Sequence, residues 1–304
     1  MKKIMRWIRE FKPKPEHNRL YIIAMAITFG GNVILALGKG IAAWISGSAA
    51  LYSDAANSIS DVVYSLLMVL GLWAAMQPPD TNHPQGHSRF EPLVGLMVTV
   101  VMFIAGFMAA RNAYLRFTND TIEPIAIGLP TIILLVSAAA KMGMFISVKR
   151  IAHKLLSPAL GTIARDNLSD VLTSLAAFLG VLFANLIHPL ADPIVGFIVA
   201  LWIFRNAFVS GKENLGFLTG VSASKEEVQQ FLEAAQEVDG VLKVHHIITE
   251  YVGPRLILEL HVNVDGNTTL YRVHEISDEV TKRLEQFSIV DRAYVHVEPE
   301  DWND

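Results

Sequence analysis

The chain contains no cysteine, which excludes disulfides and thiolate metal sites. Charge is scarce too: 18% of the 304 residues are charged against 52% hydrophobic, with a mean hydropathy of +0.38. That balance describes an integral membrane protein with a soluble part. The N-terminus is basic (Lys2, Lys3, Arg6, Arg9, Lys12, Lys14, Arg19) but lacks an apolar run followed by a small-residue cleavage site. It reads as a retained cytoplasmic segment. The apolar stretches also lack histidine, apart from His188 at the end of the fifth, and no H-E-x-x-H motif occurs. An intramembrane metal-dependent hydrolase therefore has no visible catalytic set.

What is present is unevenly placed. Residues 213–304 hold 7 Lys/Arg and 18 Asp/Glu, a net of −11, while residues 1–212 carry a net of +7. An acidic tail is a poor nucleic-acid surface and suits cations. Six segments approach the roughly 20 apolar residues that a membrane helix needs: 21–45, 49–76, 93–115, 124–148, 160–187 and 191–209. The expected organisation is a cytoplasmic arm (1–20), a six-span domain (21–212) and a soluble domain (213–304). The first span is glycine-rich (Gly30, Gly31, Gly38, Gly40), which permits close helix approach. Lys149, Arg150, Lys154 and Arg165 follow span four and Lys212 follows span six, whereas the loops after spans one and five hold no Lys or Arg. The positive-inside rule then puts both termini in the cytoplasm; Arg111 and Arg116 run against it.

The pattern changes near residue 213. "SKEEVQQFLEAAQEV" opens on a serine cap with an acidic first turn and repeats at helical spacing. "PRLILELHVNVDG" alternates: Leu256, Leu258, Leu260, Val262 and Val264 on one face, with Ile257, Glu259, His261, Asn263 and Asp265 on the other. With "VLKVHHIITEY", "LYRVHEISDEVTKRLEQF" and "DRAYVHVEPE", the expected order is helix, strand, strand, helix, strand, a small α+β domain with helices on one sheet face.

Only the second, fourth and fifth spans carry ionisable residues well inside an apolar run, apart from Lys39 and Arg205. Asn57 and Asp61 in span two are spaced i, i+4, as are Asp166 and Asp170 in span five, so each pair lies on one helix face. Two such pairs can make a four-cornered oxygen site, and intramembrane carboxylates mark ion or proton paths. Capping accounts for Asp54 or Asp166 alone. It does not account for the repeated spacing, or for Asp61 and Asp170 a turn deeper. Asp54 is either a ligand neighbour or a structural group. An all-oxygen set favours hard cations such as Mn²⁺ or Mg²⁺, with Fe²⁺ between them and zinc, which recruits imidazole or thiolate. Protons and metal would compete for the same oxygens, which is the basis of exchange.

In the loop after span two, "PPDTNHPQGHSRFEP" brings Asp80, His83 and His87 near one another. The tail adds His245, His246, His261, His274 and His296, with Glu298 two residues after the last. His296 and Glu298 share a face, and His245 is expected to share one with Lys243 and Thr249. Metal binding and ordinary solvated polar faces both fit these histidines. A sensor that moves no ions would keep them but would not need carboxylates within the spans.

Together these stretches resemble the cation diffusion facilitator family over almost the whole chain. The resemblance rests on "SGSAALYSDAANSISDVVYSL", "NHPQGHSRFEPL", "RDNLSDVLTSLAAFLG", "ADPIVGFIVALWI" and the terminal "VHVEP". It implies no enzyme but a homodimeric six-span exporter of divalent metal ions, driven by inward proton flow through the bilayer of the cell's inner (plasma) membrane. It further implies an all-α transmembrane bundle joined to a cytoplasmic ferredoxin-like, metallochaperone-like α+β domain, and no prosthetic group. By position, the family's transport set falls on Asn57, Asp61, Asp166 and Asp170. Zinc carriers in the family place His at the first position of one or both pairs. Asn and Asp there resemble the bacterial manganese-exporting branch, with Fe²⁺, Zn²⁺ and Cd²⁺ as the alternatives. The family's loop site matches Asp80, His83 and His87. Its tail sites match His245, His261, His274 and His296, with Glu298 where some members have Asp. His246 stands at a further ligand position that members fill with another residue. The resemblance gives tail ions a regulatory or dimer-stabilising role.

Overall fold

The computed structural model describes residues 15–46, 49–118, 129–186 and 190–300, the side chains of a few of these excepted. The basic residues up to Lys14, and His188, lie outside the described residues. The chain forms two compact units, Met1–Asn214 and Leu215–Asp304.

The first unit is built from six helices: α1 (Pro15–Ser46), α2 (Ala49–Ala75), α3 (Phe90–Thr118), α4 (Leu129–Leu155), α5 (Pro158–Leu186) and α6 (Ala191–Leu218). At 27 to 32 residues each and about 1.5 Å per residue, every one exceeds the roughly 30 Å of a bilayer core. Five are also apolar enough to cross a membrane, among the described residues. Helix α5 carries Arg165, Asp166, Asn167, Ser169 and Asp170 in its first half. Helix α1 is described from Pro15 and already helical there, ahead of the expected boundary at 21. Helix α6 runs past the expected 209 to Leu218. Its polar residues find partners on α5: Arg165 donates to Ser210 Oγ (3.0 Å) and to Glu213 Oε2 (2.6 Å), and Asn214 donates to Thr162 Oγ1 (2.7 Å).

Small and aliphatic side chains fill the bundle, among them Ala24, Met68, Leu72, Val98, Met102 and Leu160. Large apolar residues such as Ile34, Trp44, Leu201 and Phe208 point outward, the pattern a lipid-facing surface requires. Of the four glycines in α1, only Gly31 meets a close neighbour, Met144 of α4; Gly30, Gly38 and Gly40 face open space. Among the described residues, the close approach that glycine permits is made at Gly31. Helices α4 and α5 are joined by Leu156 and Ser157 alone, with Leu156 left-handed at φ 55°. At this end Glu91 of α3 is buried and accepts from Ser157 Oγ and from Tyr21 Oη (2.6 Å), tying α1, α3 and the α4–α5 link together.

The second unit contains α7 (Lys225–Gln236), β1 (Lys243–Val252), β2 (Arg255–Val264), α8 (Leu270–Leu284) and β3 (Val290–Pro299), the expected order. Ser224 and Glu227 form a reciprocal capping box at the start of α7. β1 and β2 are an antiparallel hairpin turned by Gly253 and Pro254, with Gly253 at φ 66°. β3 joins β2 in parallel, giving the sheet order β1-β2-β3. Leu256, Leu258, Leu260 and Val262 are fully buried against Phe231 and Ala235 of α7 and Ile276, Val280 and Leu284 of α8. Both helices thus cover one sheet face and leave the other for polar residues.

Candidate functional site

Three intramembrane carboxylates gather around one lysine. Lys141 projects from the middle of α4, with its side chain only 9% exposed. Its Nζ lies 2.7 Å from Asp170 Oδ2 on α5 and 3.4 Å from Asp61 Oδ2 on α2. Asp166, one turn before Asp170, is buried and accepts a 2.8 Å hydrogen bond from Tyr64 Oη on α2. Asn32 of α1 donates to the Asp61 carbonyl oxygen at 3.4 Å. The Asn32 Oδ1 atom is buried with no hydrogen-bond partner among the described residues. The i, i+4 spacing on α2 and α5 therefore does what helix geometry dictates, and α1 and α4 supply the partners that let charge sit there.

Asn57 lies one turn before Asp61 but is exposed and takes no part in these contacts. Asp54 belongs to α2, and its side chain lies outside what is described. Sequence reasoning missed Lys141, Tyr64 and Asn32. A lysine in mid-span is a visible signal, because an ammonium in hydrocarbon demands a partner. Tyr64 and Asn32 give none, since spans accommodate both without a site.

The loop residues do converge. Asp80, His83 and His87 bring ligand atoms within 4.8 Å of one another. Asp80 Oδ1 accepts the backbone N–H groups of His83 (2.6 Å) and Asn82 (2.9 Å). The His83 bond foremost holds the Asp80 carboxyl below the ordinary range for an aspartate. The Nδ1 of His87 lies 3.1 Å from the Pro78 carbonyl oxygen. A carbonyl only accepts, so Nδ1 is the donor there, and Nε2 lies 3.5 Å from Asp80 Oδ2. Such a backbone partner orients ligating histidines. Phe90 packs on both imidazoles.

On the open face of the tail sheet, His245, His261 and Glu298 form a second group within 4.8 Å. Glu298 is buried and central: its oxygens lie 3.1 Å from His245 Nε2, 3.1 Å from His261 Nδ1 and 3.4 Å from His296 Nε2. Cross-strand register explains this, since His261 is opposite His296 and Asn263 opposite Glu298. His245 is turned by Asn263 Oδ1, 2.8 Å from its Nδ1. A β-bulge lies between Val244 and His246. It brings His245 and His246 to the same face, and the His246 ring sits 4.9 Å from that of His261. The bulge also corrects one expectation: Thr249, opposite the core residue Leu258, is buried on the helix-covered face and does not share a face with His245. His274 stands apart from this group. It is exposed on α8, which packs on the other side of the sheet, so within one chain it does not join this group.

Nitrogen and carboxylate donors in both groups fit a divalent ion such as Zn²⁺, Mn²⁺ or Fe²⁺. The intramembrane group offers oxygen only.

Comparison with known proteins finds two family models on the chain. The cation efflux transmembrane domain matches residues 25–219, and the cation efflux protein cytoplasmic domain matches residues 223–300. An uncharacterized transporter of Methanocaldococcus jannaschii is 35% identical over 90% of this chain and 96% of its own length. The manganese efflux system protein MneS of Bacillus subtilis is 26% identical over 90% of this chain and 93% of its own. Among solved structures, the MamM CTD in its copper form is 29% identical, covers 26% of this chain and 90% of that one, and gives a TM-score of 0.24.

Proposed function

The chain belongs to the cation efflux family of metal transporters, and from that premise we propose that it exports Mn²⁺ from the cytoplasm in exchange for protons. The observation that carries this is the convergence of Asp61, Asp166 and Asp170 from two helices in the interior of a membrane bundle. Asn57, a turn from Asp61, supplies a fourth oxygen when the spans rearrange. Oxygen donors without imidazole favour a hard cation, and the manganese efflux relative supports the same choice. Proton exchange follows from the donors themselves, because a carboxylate oxygen holds a proton or coordinates a metal but not both. The spans alternate between inward- and outward-open arrangements around the site, each ligand biasing the equilibrium by its differential affinity.

Both termini face the cytoplasm of the plasma membrane, as the loop charges require. The acidic tail domains pair in a homodimer. His245, His261 and Glu298 in the tail, and Asp80, His83 and His87 in the loop, would hold regulatory divalent ions; a tail ion would offset the repulsion of two domains each carrying −11.

The test is Mn²⁺ flux in vesicles containing the Asp61→Ala chain. Transport is lost while membrane insertion is retained; a variant that clears Mn²⁺ at the normal rate ends the site assignment. The same machine could carry Fe²⁺, Zn²⁺ or Cd²⁺. Asp166→His decides by ligand softness: zinc transport rises if donor chemistry sets selectivity, and stays level if it does not.

A further inference from the structure

We propose that the Lys141 ammonium is a built-in cation that occupies the transport site when no metal is there and that the metal must displace. This rests on the site assignment above and adds a competitor to it. Lys141 takes the two aspartates at the second position of each i, i+4 pair, Asp61 and Asp170, one from each helix. Those are the oxygens a bound ion needs. A metal ion and an ammonium cannot use the same carboxylate lone pairs, so metal entry is an exchange of one cation for another.

Chemistry suits lysine to this task. Its charge is compact and rides a flexible four-carbon stem, so it can withdraw from the carboxylates and still remain beside them. Tethering gives it a high local concentration, and it returns as the metal departs. Three carboxylates without a counterion would bind a divalent cation tightly and hold it. With the ammonium competing, binding is weaker and release faster. Asp166 is left to Tyr64, whose neutral hydroxyl offers no such competition. Lys39 of α1 also acts electrostatically on Asp61, but Lys141 is the cation seated between the two helices.

A residue that merely glued α2 to α5 would, when removed, weaken metal binding and transport together. A displaceable competitor predicts the opposite split. In proteoliposomes of the full chain, Lys141→Met should lower KM for Mn²⁺ and lower kcat with it. Equilibrium dialysis, with Asp80→Asn and Glu298→Gln in every chain to silence the loop and tail groups, should show Mn²⁺ bound at least about tenfold more tightly, a change of about 1.4 kcal/mol. Lys141→Gln, which keeps length and polarity, should shift both quantities the same way and covers the case of a misfolded methionine variant. Lys141→Arg keeps the charge and should hold Kd within about threefold of the parent, well inside that tenfold step. If neither neutral variant binds Mn²⁺ more tightly than the parent, or if a folded one raises KM, the proposal is overturned. Asp170→Asn, measured in parallel, separates the two levels. Mn²⁺ transport that survives Asp170→Asn at the parent rate sinks the site assignment; transport that Asp170→Asn removes, without tighter Mn²⁺ binding in Lys141→Met or Lys141→Gln, sinks this inference alone.

Discussion

The intramembrane carboxylates and the histidine group of the tail handle the same problem in opposite ways. In the bundle, three aspartates are compensated by a tethered cation and a tyrosine hydroxyl, with the Asn32 amide alongside. In the tail, one buried glutamate is surrounded by histidines on a sheet face open to water. The first arrangement makes the ligands exchangeable, since every partner of an aspartate can be traded for a proton or a metal. The second brings its imidazoles and carboxylate together by strand register and a bulge, before any ion is present. On the proposed reading a cargo must leave and a regulator should stay, and the two donor sets suit those two tasks.

The comparison can be broken by asking whether each group fails alone. Asp170→Ala should have the largest effect, reducing Mn²⁺ flux by at least about a hundredfold, while tail metal binding in the same full chain is unchanged. Loss of both would mean that the groups are not independent. Next is the tail core: Leu258, fully buried beneath both helices, should cost about 2–5 kcal/mol as Leu258→Ala. Thermal unfolding would register it as an earlier tail transition, with the bundle's transition in place. Glu298→Gln keeps the fold but removes the charge shared by three imidazoles. Metal affinity of the tail should drop by at least about tenfold, with KM for Mn²⁺ transport unchanged. Smaller again, Ser224→Ala removes the capping box of α7 and should destabilise the tail by about 1 kcal/mol.

The smallest effect is a matter of pH. Asp80 has a carboxyl held below the usual range in the folded loop, chiefly by the His83 backbone N–H. A lowered folded value means that its contribution is complete above the unfolded value of about 3.9 and is lost as pH falls through the folded one. Amide exchange at His83 should therefore stay slow on acidification to about pH 4 and speed up only below it. Loosening that begins between pH 5 and 6 would point to the histidines as the controlling groups instead.

Much of this was legible in the residues. Asp61, Asp166 and Asp170 followed from helical spacing, and the order of α7, β1, β2, α8 and β3 from alternation and caps, because period and spacing are local properties. What stayed hidden depends on neighbours distant in sequence. Lys141 lies 80 residues from Asp61, and nothing in span four says which carboxylates it takes. The bulge at His245 could not be read from β1, since a regular strand would send His245 and His246 to opposite faces. His274 looked like a ligand by position, yet α8 lies across the sheet from Glu298. Asn57 has the right spacing and is exposed all the same, because spacing fixes a helix face and says nothing of how closely the other helices approach it.

The central claim is exchange of metal for protons at the aspartates of α2 and α5. Its most direct test is Mn²⁺ uptake into proteoliposomes of the full chain with internal pH recorded in the same trace. The expected result is Mn²⁺ entry matched by proton exit, both abolished by Asp61→Ala. Mn²⁺ entry at constant internal pH, or paired fluxes that persist in the Asp61→Ala chain, would contradict it.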